Sequence, residues 1–267
     1  MKKLITAAMA CTLLLAGCGS SEPEREVSKN TGKEYFRVGM TCDLAPFASQ
    51  TGTQSETSVT IGDGYCDGYD VKIARKLAES MDMEIQVKKI AGDALLEMLD
   101  SDEIDAIISA QFPDDKQKMD VTSAYLTSDV VLLVRKDDKK AKAKEISEFK
   151  DSKVAALQNS SLDAMIDEIK DVKHEKAMSS YAELTNALKE KTIDAIILPK
   201  AIAESMAMKD ASMQMVTFDE KKGFGKQADA VIGMKQGSKE DELFLKVQKA
   251  LDGISQEDRD AMWKSSL

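Results

Sequence analysis

The sequence predicts an α/β protein with mostly parallel sheets, because short apolar runs typical of strands alternate with amphipathic helical patterns along the chain. Two apolar runs, at 104–108 and 192–199, are of the kind found in parallel strands that are covered on both faces. The chain has 267 residues, of which 43% are hydrophobic. That length suffices for one large domain or for two lobes of about 100 residues each.

The charge of the chain excludes some classes of partner. The formal net charge is −10, and removal of residues 1–17 with Lys2 and Lys3 makes it −12. A chain this acidic, with its lysines interspersed among acids, is not expected to bind nucleic acid or to adhere electrostatically to anionic lipid. The single histidine, His174, predicts an ordinary surface residue, and we expect no metal site and no cofactor.

The first 33 residues predict export and anchoring. Lys2 and Lys3 precede an apolar run, 4–15, that is too short to span a bilayer. The next residues, Leu15-Ala16-Gly17-Cys18, resemble the lipobox of bacterial lipoproteins, in which the signal peptide (1–17) is cleaved and Cys18 carries the lipid. A plain signal peptide or a chance cysteine is the alternative. Residues 18–33 are polar and without periodicity, which predicts a flexible tether.

The first half of the mature chain is predicted to form strands separated by loops and two helices. Strands are predicted at 35–40, 83–90 and 104–108, an exposed hairpin or loop at 50–64, and a helix over 71–81 for which Asp70 suits the N-cap position. Another helix carries the apolar stripe of 95–99. Residues 109–118 then leave the carboxyl end of a strand, where ligands bind in open α/β sheets.

The second half repeats this alternation. Strands are predicted at 129–134, 153–158, 192–199, 213–218 and 230–234, with helices at 162–169, 181–189, 239–251 and 256–263. The charge run at 136–144 is typical of a solvated loop.

Several motifs together resemble family 3 of the bacterial solute-binding proteins, which deliver polar amino acids to ABC importers. They are Gly68-Tyr69-Asp70-Val71 at a helix start, Ile104-Asp105-Ala106-Ile107 before a polar loop, and Lys235-Gln236-Gly237 after the last strand. The resemblance covers about residues 34–267. It implies the type II periplasmic-binding-protein-like fold, with lobe 1 formed by 34–131 and 228–267, lobe 2 by 132–227, and two crossing segments between them.

The resemblance also implies a ligand cleft between the lobes. Its predicted lining is Asp43, Leu44, Phe47, Ser109, Ala110, Gln111 and Lys116 from lobe 1, and Asn159, Ser160 and Ser161 from lobe 2. This chain departs from the family because no arginine follows the Ser109 loop, which leaves Lys116 or Lys118 as the cation for a carboxylate. Phe47 is equally well read as a core residue under its loop, and Ser160 or Ser161 as a helix cap.

A disulfide between Cys42 and Cys66 is expected from the same resemblance. In the family, the segment between these positions folds back beside the end of the first strand. Cys18 is assigned to the lipid, and the exported compartment permits disulfides. Two unpaired thiols are the alternative.

These features predict a monomeric, lipid-anchored binding protein on the extracytoplasmic face of the cell membrane. It would bind an amino acid or similar small polar solute, close by hinge motion and be read by the membrane subunits of an ABC importer. One alternative is a divergent receptor or adaptor, or a protein that binds another solute. A lyase resembling cyclohexadienyl dehydratase is not expected, because the cleft offers no histidine or paired carboxylate for acid–base catalysis.

Overall fold

The structure, a computed structural model, describes residues 25–114, 116 and 118–267. The strands of this part of the chain are β1 (Tyr35–Met40), β2 (Asp43–Leu44), β3 (Ala48–Thr51), β4 (Val59–Thr60), β5 (Tyr65–Asp67), β6 (Glu84–Lys89), β7 (Ala106–Gln111), β8 (Met119–Ser128), β9 (Val130–Arg135), β10 (Lys153–Ala155), β11 (Lys173–His174), β12 (Ala195–Pro199), β13 (Met213–Val216) and β14 (Ala228–Lys235). The helices are α1 (Tyr69–Ser80), α2 (Leu95–Asp100), α3 (Ser161–Met165), α4 (Tyr181–Lys189), α5 (Lys200–Lys209), α6 (Glu242–Asp252) and α7 (Gln256–Lys264).

The first lobe is built on a five-stranded sheet in the order β6-β1-β7-β14-β8. β1 runs parallel to β6 and β7, whereas β14 is antiparallel to both β7 and β8. Both faces of β7 are covered, as its apolar sequence predicts. Ile107 packs with Leu95 and Leu99 of α2, while Ala106 and Ile108 belong to the main core that includes the buried side chains of α1.

The second lobe is built on a sheet of the same size, in the order β11-β10-β12-β9-β13. β10 is parallel to β11 and β12, and β9 runs antiparallel to both β12 and β13. Each lobe therefore combines three parallel strands with two strands whose pairing is antiparallel. The antiparallel pairs arise where the chain crosses between the sheets.

The two lobes use the same aspartate motif at the amino end of a central strand. In lobe 1 the Asp105 N–H donates to the Arg37 carbonyl (2.8 Å) and its carboxylate accepts the Arg37 N–H (2.8 Å). In lobe 2 Asp194 makes the same pair of bonds to Lys153, both at 2.8 Å. This reciprocal pairing sets the register of each strand, so the carboxyl ends of the strands are left to carry the loops.

The crossing segments lie side by side at Asp129. β8 ends in the first sheet at Ser128, and β9 begins in the second sheet at Val130. The crossing therefore falls two residues before the predicted boundary after Val131, because Val130 and Val131 pair with β12. The return crossing lies between β13 and β14, and its Gln227 side chain donates to the Asp129 carboxylate at 2.8 Å.

The prediction of a flexible tether over 18–33 is wrong for residues 25–33. Val27 forms a β-bridge with Glu34, Ser28 is buried, and the Arg25 guanidinium donates to the Asp105 carboxylate at 3.0 Å. Asp105 is itself buried and already paired with Arg37, so a second arginine adds a charge-assisted bond at little further desolvation cost. The predicted signal peptide and Cys18 lie outside the described residues. No helix within the described residues has the length and apolar character needed to cross a membrane.

A small third sheet, in the order β2-β3-β5-β4, is formed by the segment between β1 and α1. The structure contains the expected disulfide between Cys42 and Cys66, with Cα atoms 5.9 Å apart. Both cysteines are buried. The bond joins the residue before β2 to the middle of β5, so it holds this sheet together at the loop that follows β1.

Candidate functional site

The predicted site begins where β1 and β7 end side by side. Ser109 lies near the end of β7, and its hydroxyl accepts the N–H of Thr41 at 3.0 Å. The two hydroxyl groups are also 3.2 Å apart. Ser109 is buried, and the structure uses its hydroxyl to tie the two strand ends together. This is a structural role in addition to the ligand contact that the sequence predicts.

The backbone of Ala110 is held by a buried carboxylate. Its N–H donates to Asp70 Oδ2 at 2.9 Å, and its φ of 46° places it in the left-handed region that a side chain disfavours. Asp70 Oδ1 accepts the Tyr125 hydroxyl at 2.8 Å. In this conformation the Ala110 N–H is therefore already bonded to Asp70, and the ligand contact expected of Ala110 stays a prediction.

Asp70 is not the helix cap that the sequence predicts. The N-cap position of α1 is Gly68, with φ of 137°, and Asp70 is the second helical residue. A side chain at Gly68 would collide with the carbonyls of Pro46 and Phe47, so glycine is required there. Asp70 is fully buried, and burial raises the pKa of its carboxyl to about 7 despite the opposing hydrogen bonds from Tyr125 and Ala110.

The loop after β7 contacts the second lobe directly. The Ser161 N–H donates to the Phe112 carbonyl at 2.9 Å, and Pro113 forms an antiparallel bridge with Ser160. The Asp114 N–H also points to the Asn159 carbonyl at 3.4 Å. The structure therefore brings the lobe-1 loop and the predicted lobe-2 residues together, with backbone hydrogen bonds across the cleft.

Ser160 is the notable polar group at this contact. It is 5% exposed, and its hydroxyl has no hydrogen-bond partner among the described residues. Ser160 occupies the N-cap position of α3, yet its side chain makes no capping bond. The interpretation of Ser160 as a helix cap is therefore wrong. A buried hydroxyl without a partner costs about 1–3 kcal/mol, so this group is suited to a solute's polar atom.

The residues predicted after β1 divide between the cleft and the core. Asp43 is exposed, and its charge raises the pKa of Tyr181 at the start of α4 in the other lobe, second to the effect of burial. Leu44 is partly buried against the core. The Phe47 ring is fully buried and packs edge-on against Trp263 of α7, with centroids 5.2 Å apart. Phe47 is therefore a core residue, as the alternative interpretation held, because Trp263 takes one side of its ring.

Further contacts between the lobes flank these residues. The Ser205 hydroxyl of α5 donates to the Ala45 carbonyl. At the crossing itself the Ala201 N–H donates to the Ser128 hydroxyl at 3.2 Å. The lobes thus meet along the loops that follow β1 and β7 and at the crossing segments.

The remaining predicted residues of lobe 1 lie at the rim. The Gln111 side chain is half-buried and donates back to the Ser109 carbonyl at 3.0 Å. Lys116 is exposed, and its backbone N–H donates to the Asp114 carboxylate at 3.0 Å. Lys118 is also exposed. Among the described residues, no group of three or more His, Cys, Asp or Glu side chains is arranged to hold a metal ion.

Sequence reasoning missed the buried network behind the loop. Tyr69 donates its hydroxyl to the Tyr125 carbonyl at 3.0 Å, and Tyr125 in turn donates to Asp70. A signal for Asp70 was present, because it lies on the same helical stripe as the buried Ile73, Ala74 and Leu77. A charged residue in an apolar stripe indicates that its side chain has a buried hydrogen-bonding partner. The position of Asp70 in the sequence could not identify that partner.

Comparisons with known proteins agree with this architecture. Residues 37–262 match the bacterial extracellular solute-binding proteins, family 3. The chain is 27% identical over 223 residues to the ABC transporter glutamine-binding protein GlnH of Bacillus subtilis, covering 80% of this chain and 81% of that protein. It is 23% identical over 266 residues to the arginine-binding extracellular protein ArtP of the same organism, covering 94% and 93%.

Solved structures show the same fold. The amino acid ABC transporter substrate-binding protein AbpA of Streptococcus pneumoniae, bound to L-arginine, superposes with a TM-score of 0.69 at 21% identity, covering 87% of this chain and 94% of that one. An ancestral arginine-binding protein bound to glutamine gives 0.68 at 20% identity, covering 87% and 97%. The predicted fold of two α/β lobes is confirmed. The chain belongs to the bacterial extracellular solute-binding proteins of family 3.

Proposed function

We propose that this protein binds an amino acid or a similar small polar solute between its lobes and delivers it to the membrane subunits of an ABC importer. Closure of the lobes about the crossing segments at Asp129 would form the state that the importer recognises. The relatives named for glutamine and arginine binding support this solute class. We further propose that the protein acts as a monomer anchored through a lipid on Cys18.

The contact between the Phe112 loop and the start of α3 carries this proposal. Residues of both lobes that the sequence assigns to one site meet there through backbone hydrogen bonds. Because each bond joins a loop of one lobe to a loop of the other, opening the lobes would break all of them together. The contact therefore favours a small set of closed geometries into which a solute must fit.

The Ser160 hydroxyl is the group that distinguishes a binding site from a plain lobe contact. If it bonds a solute carboxylate, Ser160→Ala will weaken solute binding by about 1.5–3 kcal/mol. The same substitution removes an unpartnered buried hydroxyl from the free protein, so the free protein will be at least as stable as the wild type. Ser161→Ala is the matched control, because the Ser161 hydroxyl lies 3.4 Å from the Phe112 carbonyl within the protein.

The experiment is calorimetry of the purified protein against the twenty amino acids, beginning with L-glutamine and L-arginine, with mass spectrometry of any solute that co-purifies. Binding that Ser160→Ala weakens clearly more than Ser161→Ala does supports the proposal. Binding that neither variant alters places the solute elsewhere. No binding by any amino acid and no co-purified solute favours the receptor or adaptor alternative.

The cation for a solute carboxylate is tested in the same series. Lys116 and Lys118 are both exposed beside the loop, and a lysine lacks the two-point fork of the family's arginine. We propose Lys116, and Lys116→Ala will weaken binding by about 1.5–3 kcal/mol if it forms a charge-assisted hydrogen bond. A loss with Lys118→Ala instead would reassign the role.

A further inference from the structure

Asp70 is a buried acid that the binding proposal does not use. It is fully buried in α1, one residue after Tyr69, and its two oxygens accept bonds from different elements. One bond comes from the Ala110 N–H near the end of β7, and the other from the Tyr125 hydroxyl of β8. α1 itself is held against the loop after β1, because the Tyr69 and Asp70 N–H groups donate to the Pro46 and Phe47 carbonyls at 2.9 and 2.8 Å.

The bond to Ala110 acts at a strained point of the chain. Ala110 has φ of 46°, and such a conformation costs about 1 kcal/mol or more for a residue other than glycine. The Asp70 carboxylate supplies the compensating interaction through its 2.9 Å bond to the Ala110 N–H. Two residues later the Phe112 carbonyl accepts the Ser161 N–H from the second lobe. The direction in which the loop leaves β7 therefore depends on the Asp70–Ala110 bond.

We propose that Asp70 is a positioning residue, whose buried carboxylate aims the 109–114 loop at the second lobe, so that neutralising this carboxylate weakens closure and solute binding. The proposal rests on the proposed function for its effect on solute affinity, but its effect on the loop is independent of any solute. An ionised carboxylate accepts a stronger hydrogen bond from the Ala110 N–H than a neutral carboxyl does.

The surroundings of Asp70 make its hydrogen bond to Ala110 sensitive to pH near neutrality. Burial raises the pKa of Asp70 to about 7. The titratable groups that face this network are Tyr125, Tyr69, and on α7 Arg259 and Asp260. The two tyrosines, whose pKa values are raised mainly by burial, stay neutral in this range. With a pKa of about 7, the Asp70 carboxyl changes charge between pH 6 and 8, whereas its two tyrosine neighbours do not.

His174 must be separated from Asp70 in any pH experiment. Its ring nitrogens lie 2.9 Å from Asp167 and 3.0 Å from Asp163, and Asp163 belongs to α3. Burial alone would lower the pKa of His174, but these carboxylates raise it. Since Ser161 is also in α3, titration of His174 would change the electrostatic environment of the Ser161 amide at the lobe contact. All measurements are therefore made in a His174→Gln background.

The test follows the backbone amides of Ala110 and Ser161 by proton–nitrogen NMR from pH 5.5 to 8.5, without solute. We expect both amide signals to shift with a common midpoint near pH 7. Asp70→Asn will abolish both shifts. Tyr125→Phe removes a hydrogen bond that lowers the pKa of Asp70, so it will raise the midpoint by about one pH unit. Tyr69→Phe removes a buried hydroxyl that does not touch Asp70, so it will leave the midpoint unchanged.

Solute affinity is then measured by calorimetry over the same range, with L-glutamine and L-arginine as probes. We expect affinity to rise about tenfold from pH 6 to pH 8, and Asp70→Asn to keep the weaker value throughout, because a charge-assisted bond is replaced by a neutral one. An Ala110 signal that titrates while the Ser161 signal and the affinity do not would reduce Asp70 to a structural residue and overturn the proposal. If neither probe binds, the proposed function fails for these solutes, and the two amide signals still decide the role of Asp70.

Discussion

Asp70→Asn should change the pH dependence of folding in a defined direction. The pKa of the Asp70 carboxyl is about 7 in the folded protein and close to 3.8 in the unfolded chain. Between these values the folded protein binds more protons than the unfolded chain. The contribution of Asp70 to the free energy of unfolding is therefore fully present below pH 4 and is lost as the pH rises to 7. Asparagine cannot ionise, so this loss disappears in the variant.

The magnitude follows from the pKa difference. A shift of about three units corresponds to about 4 kcal/mol, since each unit is worth about 1.4 kcal/mol. Asparagine keeps the shape of the side chain, and its amide can accept the Ala110 N–H and donate to the Tyr125 oxygen. Relative to the wild type, the variant should therefore gain stability steadily from pH 4 to 7 and stop gaining above pH 7.

Urea unfolding at half-unit steps from pH 4.5 to 8.5 measures this difference. The difference between the two proteins is the relevant quantity, because titrations that both share, such as that of His174, cancel. Asp70→Ala is the control, since it removes the same charge but also both hydrogen bonds, and should be less stable than Asp70→Asn at every pH. Parallel stability curves for wild type and Asp70→Asn would refute a buried carboxyl that titrates near pH 7.

Three further predictions concern the lobe contact, the anchor and the disulfide. Ser161→Pro removes the N–H that bonds the Phe112 carbonyl, while proline at the first position of a helix such as α3 is well tolerated. X-ray scattering of the variant should show a larger radius of gyration, and circular dichroism should show no loss of helix. An unchanged radius would mean that this bond does not hold the lobes together. Cys18→Ser should release the protein from membranes and abolish labelling by a palmitate analogue, and continued labelling would remove the lipidation hypothesis. The intact mass after alkylation without reductant should show no alkyl group on Cys42 or Cys66. Reduction of the disulfide should lower the free energy of unfolding by about 3 kcal/mol for a closed loop of this size. Two alkyl groups added without reductant would contradict the disulfide.

The sequence was sufficient to predict the fold, whereas the ligand site stays a prediction. Apolar runs such as 104–108 predict buried strands because both faces of the sheet are covered, and the structure confirms this for Ile107 and Ile108, which face opposite sides. In the structure the ends of β1 and β7 lie side by side, and the loop after β7 meets the segment that follows β10. The meeting of residues 112–114 with 159–161 follows from that topology.

The partners within the site could not be predicted from the same patterns. Periodicity shows that Asp70 lies on a buried stripe, but its bonds depend on where Ala110 and Tyr125 fall in two distant strands. Phe47 illustrates the same limit, because only the return of α7 to lobe 1 reveals that Trp263 packs on its ring. The tether prediction failed at Arg25 for a related reason. A polar segment lacks a core of its own, yet the ion pair of Arg25 with the buried Asp105 and the bridge of Val27 to Glu34 hold it on the lobe.

The contact of Arg25 with lobe 1 shortens the part of the chain that could act as a tether between the lobe and the membrane. If Cys18 carries the lipid, seven peptide units separate it from Arg25, and they can span at most about 25 Å. Arg25 is fixed at Asp105, beside the amino ends of β1 and β7, whereas the lobe contact lies beyond their carboxyl ends. The membrane would thus hold lobe 1 by the side away from the cleft. Such a protein can pivot about its anchor but cannot move far above the bilayer, so it would meet importers by diffusion in the plane of the membrane.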